Sequence, residues 1–241
     1  MQVIGHRGAA ALAPENTWEG FDVALSVGVD AIETDIRATS DGELILMHDK
    51  RLDRTTNGEG LVHMTPWSAI GTLDAGSWFS EEYRGAKVPL LRDTLERYGT
   101  STHLVLEIKQ PGIELRVLEM VRERSLIDSV TFTSFDFTAV QNIKSQFPAA
   151  KVGFLTSDIS EENIMRAVKA CLNQVCLPAN AVSQELVSTW KEFGLEVRAW
   201  KVTDTEVMMS ALKAGIDGMT VDFPHLLPPS CFSPKPIKDK A

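Results

Sequence analysis

Charged and imidazole side chains lie directly beside short apolar runs at three places in the chain. Gly5-His6-Arg7-Gly8 follows the first run, the second run contains Glu33 and Asp35, and a third ends in Glu107-Ile108-Lys109. Residues two apart on a strand point to the same face. Glu33 and Asp35 therefore share one face of their strand, and Glu107 and Lys109 share one face of theirs. A strand that only filled a core would carry none of these groups.

The acidic residues among them suggest a metal site. Glu33, Asp35 and Glu107 would repel one another strongly at one sheet edge unless a cation lay between them. A hard divalent cation, Mg²⁺ or Ca²⁺, is the natural occupant of an all-oxygen site. The alternative is that they are ordinary rim charges paired with Arg or Lys. These acidic residues occur at two strand ends, and a third strand end carries His6. The three together favour the metal site.

Two histidines and two cations add the means for phosphoryl chemistry. The unperturbed pKa of histidine lies near neutrality, which suits His6 and His48 to give and take protons. The guanidinium of Arg7 offers a planar fork for phosphate oxygens, and Lys109 offers a second point charge. His6 alone would be a structural histidine, but its place beside Arg7 favours a functional role.

The elements that must position these groups form an alternating pattern. Short apolar runs alternate with helical patterns, which is typical of a parallel sheet. Eight strands favour an α/β fold closed as a (β/α)₈ TIM barrel, whose active site forms at the carboxyl ends of the strands. Asn16 with Glu19 and Thr203 with Glu206 resemble capping boxes, and Gly28 and Gly215 stand where helices end. The predicted strands are Gln2–Gly5, Ala31–Ile36, Leu104–Ile108, Val130–Ser134, Val152–Leu155, Gln174–Leu177, Val197–Trp200 and Gly218–Val221.

Two segments depart from the alternation. The run Glu43–His48 follows the second strand with no room for a helix, and Asp41-Gly42 predicts a two-residue hairpin turn between them. That turn would set residue 48 opposite residue 35, with their Cβ atoms about 5 Å apart on one face. Residues 51–88, rich in Gly, Thr and Trp, predict a small insertion of loops and short elements after the second histidine. Their aromatic residues could form a lid, although an insertion core is the expected use.

Composition excludes several classes of protein. The chain has 241 residues, 44% of them hydrophobic and 24% charged, which is ordinary globular composition and fits one barrel domain over 1–241. A net charge of −9 without a basic stripe argues against nucleic acid as a partner. Three cysteines without metal-site spacing, no signal peptide and no run of about 20 apolar residues predict a cytoplasmic protein with no membrane span. The tail over 228–241 is expected to pack loosely.

The ordered set of motifs resembles the glycerophosphodiester phosphodiesterase family. Each fragment alone is weakly specific, but their order over nearly the whole chain is highly specific. The resemblance is carried by His6-Arg7-Gly8, Pro14-Glu15-Asn16-Thr17, Glu33-Thr34-Asp35-Ile36, Asp41-Gly42, His48-Asp49, Leu52-Asp53-Arg54-Thr55-Thr56, Leu73-Asp74-Ala75-Gly76-Ser77-Trp78, Glu107-Ile108-Lys109, Ser134-Phe135-Asp136, Trp200 and Asp222-Phe223-Pro224.

The resemblance implies a role for each part of the set. His6 and His48 match the acid–base pair, Arg7 and Lys109 match the phosphate-binding residues, and Trp200 and Phe135 are candidates for the pocket lining. Glu33, Asp35 and Glu107 match the ligands of one divalent cation. The implied substrates are small phosphodiesters such as glycerophosphocholine or glycerophosphoethanolamine, which yield glycerol 3-phosphate and an alcohol.

The chain also departs from the family pattern. Trp200-Lys201-Val202-Thr203 replaces the usual Trp-Thr-Val-Asn, Met219-Thr220-Val221-Asp222 replaces Ile-Ile-Thr-Asp, and Leu91-Arg92-Asp93 replaces an acidic pair. Lys201 in particular bears on substrate choice. The alternatives are a phospholipase D or C acting on lysolipids, an inactive relative that binds phosphodiesters, and a barrel with unrelated chemistry.

Overall fold

The computed structural model describes residues 1–232, and within them one mixed sheet closes on itself. Eight parallel strands pair in the order β1-β9-β8-β7-β6-β5-β4-β2, and β2 pairs back with β1. The antiparallel β3 is attached to β2 outside this ring. The strands are Gln2–Gly5 (β1), Ala31–Ala38 (β2), Leu44–Leu46 (β3), His103–Ile108 (β4), Val130–Ser134 (β5), Lys151–Leu155 (β6), Gln174–Pro178 (β7), Glu196–Trp200 (β8) and Gly218–Val221 (β9).

Helices follow the barrel strands and cover the outside of the ring, apart from one short helix in the segment after β3. They are Trp18–Val27 (α1), Trp67–Ile70 (α2), Leu91–Tyr98 (α3), Glu114–Glu123 (α4), Phe137–Gln146 (α5), Glu161–Lys169 (α6), Gln184–Glu192 (α7) and Thr205–Lys213 (α8). This arrangement confirms the predicted (β/α)₈ TIM barrel. Among the described helices, none has the length and apolarity needed to cross a membrane. Most of the tail predicted to pack loosely lies outside the described residues.

The apolar core lies between the strands and the helices rather than inside the ring. Outward side chains such as Val3, Ile32 and Phe132 belong to one large cluster with the helix residues. Inside the ring, Ile4, Ala31 and Val105 form a small separate apolar cluster. The remaining inward positions, which alternate with the outward ones, carry many buried polar residues: Glu33, Asp35, Glu107, Thr131, Thr133, Gln174, Arg198 and Thr220.

The hairpin after β2 is one residue out of the predicted register. Ile36 lies opposite Leu46 and Thr39 N–H donates to the Glu43 carbonyl, so three residues form the loop and residue 35 faces residue 47. Gly42 has φ 88° and its N–H donates to the Thr39 carbonyl, which is the three-residue turn closed by a left-handed glycine. The two-residue turn was therefore wrong, and so was the cross-strand pairing of His48 with Asp35.

Two helix starts were also placed one residue early. Thr17, not Asn16, caps α1 by accepting the Gly20 N–H, and Asp204, not Thr203, caps α8 by accepting the Val207 N–H. In the first case the reason is competition, because the Asn16 side chain is bound to Asp35 and Thr34 instead. The predicted ends hold: Gly28 and Gly215 adopt left-handed φ of 105° and 80°.

Residues 51–88 form loops, α2 and two short 3₁₀ turns, in agreement with the predicted insertion. Its buried apolar residues pack with Ile45 and Met47 beside the barrel into a second cluster, distinct from the main core. Phe79 stacks edge-on against both Trp78 and Tyr83, at centroid distances of 5.7 and 5.8 Å. The aromatic residues thus serve the insertion's own packing, as expected, and none of them lines the cavity described next.

Candidate active site

A cavity of about 450 Å³ opens at the carboxyl ends of the barrel strands. Eight of the nine residues proposed for the site line it, and the ninth, Asp35, lies fully buried beside them. The eight are His6, Arg7, Glu33, His48, Glu107, Lys109, Phe135 and Trp200. The structure therefore brings the whole predicted set to one place.

The three carboxylates form a tight buried cluster. Asp35 and Glu107 are register partners on β2 and β4, and Glu33 lies two residues before Asp35. One oxygen from each of the three lies within 4.8 Å of the others. Glu33 Oε1 and Asp35 Oδ1 are buried and accept no hydrogen bond. Such unsatisfied oxygens fit a cation, which these three carboxylates could hold.

The electrostatics of the cluster show an excess of negative charge. Burial, together with the neighbouring Asp35 carboxylate, raises the pKa of Glu33 to about 7. The pKa of Glu107 is raised for the same two reasons. Burial alone would also raise the pKa of Asp35, but the charges of Arg7 and Lys109 outweigh it and lower that pKa. Arg7 and Lys109 compensate only part of the repulsion among the three carboxylates. A divalent cation would relieve the rest.

The loop after β1 holds the cluster in place. Arg7 has φ 50°; its backbone N–H donates to Glu33 Oε2 at 3.0 Å and its Nε lies 3.2 Å from Asp35 Oδ2. Asn16, also left-handed at φ 55°, donates from Nδ2 to Asp35 Oδ2 and accepts the Asp35 N–H. Strained backbone of this kind is maintained where surrounding contacts over-determine it, as at functional sites.

The first histidine is oriented by the last barrel strand. His6 Nδ1 lies 2.5 Å from Asp222 Oδ1, and its Nε2 lies 3.9 Å from Glu33 Oε2. Burial alone would lower the pKa of His6, but the hydrogen bond to Asp222 and the charge of Glu33 raise it. His6 therefore binds its proton more tightly than an ordinary histidine does.

The second histidine is oriented by its own neighbour. His48 Nδ1 lies 2.6 Å from Asp49 Oδ1, and Arg37 holds the His48 carbonyl with two donors at 2.6 and 2.9 Å. Because β3 ends at Leu46, His48 is not bound by the strand alternation and still reaches the cavity. Burial, with the charge of Arg7, lowers the pKa of His48 despite the opposing effect of Asp35. His48 is therefore neutral at pH 7.

A chain of ion pairs connects the two sides of the site through the insertion. Arg7 Nη1 lies 2.7 Å from Glu15 Oε1. Arg54 donates to both oxygens of Glu15 at 2.8 Å, and to Asp49 Oδ2 from Nε at 2.6 Å. These ion pairs connect Arg7, which contacts the buried carboxylates, to Asp49, which orients His48.

The opposite wall comes from the later strands. Trp200 and Phe135 meet edge-on with centroids 5.0 Å apart, and Trp200 Nε1 donates to the Cys176 carbonyl. Lys109 Nζ lies 5.8 Å from the Phe135 centroid. Arg198, Lys201, Thr203 and Thr220 complete this wall.

Sequence reasoning assigned no role to several residues that the geometry brings into the site. Asp222 and Asp49 belonged to the motif set without a role. Asp49 directly follows His48 and Asp222 directly follows β9, and these positions were the signal available in the sequence. Asn16 was read as a cap only. Arg198 lies between Val197 and Ala199 on a strand, and only its shared parity with Trp200 could have placed it inward.

Comparison with known proteins identifies the arrangement. Residues 6–226 match the Glycerophosphoryl diester phosphodiesterase family. A glycerophosphodiester phosphodiesterase from Caldanaerobacter subterraneus is 35% identical over 231 residues, covering 93% of this chain and 95% of the relative. A solved glycerophosphodiester phosphodiesterase from Agrobacterium tumefaciens superposes with a TM-score of 0.82 at 29% identity, covering 94% and 98% of the two chains.

A second solved relative carries a ligand. It is an Oleispira antarctica phosphodiesterase in complex with the product sn-glycerol-3-phosphate, with a TM-score of 0.83 and 28% identity over 93% of this chain and 94% of that one. With the profile match over nearly all of its length, the chain belongs to the glycerophosphoryl diester phosphodiesterase family and is an enzyme, a phosphoric diester hydrolase.

Proposed function

We propose that the enzyme hydrolyses glycerophosphodiesters, such as glycerophosphocholine or glycerophosphoethanolamine, to glycerol 3-phosphate and an alcohol. It does so with one divalent cation, Mg²⁺ or Ca²⁺, and with His6 and His48 as the acid–base pair. The observation that carries this proposal is that two imidazoles, each held at Nδ1 by a carboxylate, flank three buried carboxylates in one cavity. The product bound to the Oleispira antarctica relative supports the same reaction.

Glu33, Asp35 and Glu107 would hold the cation. The support is their two unsatisfied buried oxygens and the raised pKa of Glu33 and Glu107, which both point to missing positive charge. When bound, a cation here polarises a phosphoryl oxygen and lowers the pKa of a coordinated hydroxyl. Arg7 and Lys109, each close to these carboxylates, are placed to hold the remaining phosphoryl oxygens and stabilise the charge that develops on them.

The two histidines divide the proton transfers according to their environments. His48, with its lowered pKa, is neutral and takes the proton from the attacking group, which is water or the substrate's own glycerol 2-hydroxyl. His6, with its raised pKa, holds a proton and donates it to the leaving alkoxide. In both rings the Nδ1 contact to a carboxylate leaves Nε2 for the reaction. Attack by the 2-hydroxyl would form a cyclic phosphate first.

The test measures glycerol 3-phosphate released from glycerophosphocholine by protein stripped with EDTA, and again with Mg²⁺ or Ca²⁺ restored. Release that requires the cation is the expected result. Release by the stripped protein would overturn the metal dependence. No release from any glycerophosphodiester, with either ion present, would overturn the substrate class.

The attacking oxygen is tested separately. Both routes place one water oxygen in the product, so the cyclic species separates them and an ¹⁸O label does not. A cyclic glycerol phosphate that appears early and then decays assigns the attack to the 2-hydroxyl. Equal turnover of a substrate analogue that lacks the 2-hydroxyl, with no cyclic species, assigns the attack to water.

A further inference from the structure

Arg198 is a buried charge that its surroundings leave unsatisfied. It lies on β8 with 2% of its surface exposed, and neither Nε nor Nη1 has a hydrogen-bond partner. It contacts the Cys176 thiol but forms no ion pair with a carboxylate in residues 1–232. An uncompensated buried charge costs several kcal/mol. Arg198 also lines the cavity, so its uncompensated positive charge acts on a ligand bound there.

Lys201 adds a second unpaired cation to the same wall. It immediately follows β8, is exposed, lines the cavity, and makes neither a hydrogen bond nor an ion pair within the described part of the chain. Its backbone is left-handed at φ 55°, a conformation that non-glycine residues adopt uncommonly. Because Lys201 lines the same cavity, its ammonium adds to the positive charge of Arg198 there.

The two cations belong to a different part of the ring from Glu107 and Lys109. In the closed ring β8 is directly across from β4, which carries Glu107, with three strands between them in either direction. The phosphoryl group already has Arg7 and Lys109 beside the carboxylates. Arg198 and Lys201 therefore face another part of the substrate that extends across the cavity.

The chemistry of this wall disfavours a cationic group. A quaternary ammonium here would be repelled by Arg198 and Lys201, and Lys109 Nζ already lies 5.8 Å from the Phe135 centroid. Glycerol is neutral and does not neutralise two charges. A carboxylate or phosphate does, because its negative charge offsets the positive charges of Arg198 and Lys201.

We infer that Arg198 and Lys201 form a subsite for an anionic group on the alcohol half of the substrate, so that the enzyme prefers glycerophosphodiesters whose alcohol carries a carboxylate or a second phosphate. This inference rests on the proposed function, because it describes the same cavity and the same reaction. It predicts that the preference depends on residues that the proposed chemistry does not use.

The experiment compares kcat/KM for three substrates that share glycerol and phosphate. They are glycerophosphoinositol 4-phosphate, glycerophosphoglycerol and glycerophosphocholine, with an anionic, a neutral and a cationic alcohol. We expect kcat/KM to fall in that order. Lys201→Thr should reduce the ratio of kcat/KM for the anionic substrate to kcat/KM for glycerophosphocholine about tenfold. The substitution removes an attraction to the anionic substrate and a repulsion of the cationic one.

Further variants separate the subsite from a general loss of structure. Arg198→Met should reduce the same ratio by about tenfold or more, the value of a charge-assisted hydrogen bond, and Arg198→Lys should restore part of it. Lys169→Thr, which removes an exposed lysine of α6 outside the cavity, is the matched control and should leave the ratio unchanged. If Arg198→Met fails to fold, the Lys201→Thr ratio decides alone.

The outcomes distinguish the inference from the proposed function. Hydrolysis of all three substrates at equal kcat/KM, or an equal loss on all three in the variants, leaves the proposed function standing and overturns the subsite. Hydrolysis of none of them overturns the proposed function, and the subsite with it.

Discussion

Glu33→Gln is expected to stabilise the metal-free protein while abolishing its activity. Glu33 is 2% exposed, Oε1 has no hydrogen-bond partner, and Asp35 and Glu107 lie close by. A pKa raised from the usual 4.5 to about 7 means that ionising Glu33 costs the folded state up to about 3 kcal/mol. Glutamine keeps the shape of the side chain and removes the charge. We expect a gain of about 1–3 kcal/mol in the free energy of unfolding at pH 8 without metal.

The sign of the pH dependence follows from linkage. The folded protein binds the Glu33 proton more tightly than the unfolded chain does, so its stability falls as pH rises from about 4.5 through about 7. Below about pH 4.5 both states are protonated and the cost vanishes. The advantage of Glu33→Gln should therefore be large at pH 8 and small at pH 5.

Urea unfolding in EDTA, followed by tryptophan fluorescence at both pH values, measures this difference. Glu59→Gln, which removes an exposed carboxylate of the insertion, is the matched control and should change little at either pH. Saturating Mg²⁺ or Ca²⁺ should reverse the order, because ligand binding stabilises the wild type more. Two results would refute the reasoning. One is a variant no more stable than the wild type at pH 8, and the other is a stability advantage at pH 5 as large as that at pH 8.

Three further predictions test the site and its frame. His48→Ala should lower kcat at least ~10²-fold, the low end for acid–base catalysis. The control His63→Ala, which removes an exposed histidine, should leave kcat unchanged. Near-normal turnover in His48→Ala would show that His48 takes no part in the reaction. Asp222→Asn removes the carboxylate that helps to raise the pKa of His6, so the alkaline limb of the pH–kcat profile should move to lower pH; an unmoved limb would contradict the role of His6 as acid. Gly42→Ala should lower the free energy of unfolding in urea by about 1 kcal/mol, since φ 88° strains any side chain although the nearest atoms, of Arg116, lie at ordinary contact distance. An unchanged free energy of unfolding would argue against the left-handed turn.

The barrel strands were predictable because each is a short apolar run, and burial on the outer face demands that pattern. The carboxylates were predictable because acidic side chains beside buried apolar runs need a positive charge to compensate them. The hairpin register was not, because Asp41-Gly42 fits both a two-residue loop and a three-residue loop closed by left-handed Gly42, and local sequence does not choose between them. The side-chain partners of Asn16 and Arg198 depend on strands far away in the sequence, so no local pattern reveals them.

The insertion has a consequence for how the enzyme loses activity on heating. Its apolar cluster is separate from the main core, and it is tied to the active site through Arg54, which contacts Glu15 and Asp49. A segment with its own small core can open locally at a lower free energy than the whole barrel. Such opening would release Asp49 and Glu15 from Arg54 while the barrel stayed folded. The carboxylates that contact His48 and Arg7 would then be held less firmly. Thermal inactivation and early proteolytic cleavage should therefore both begin in residues 51–88, before the barrel unfolds.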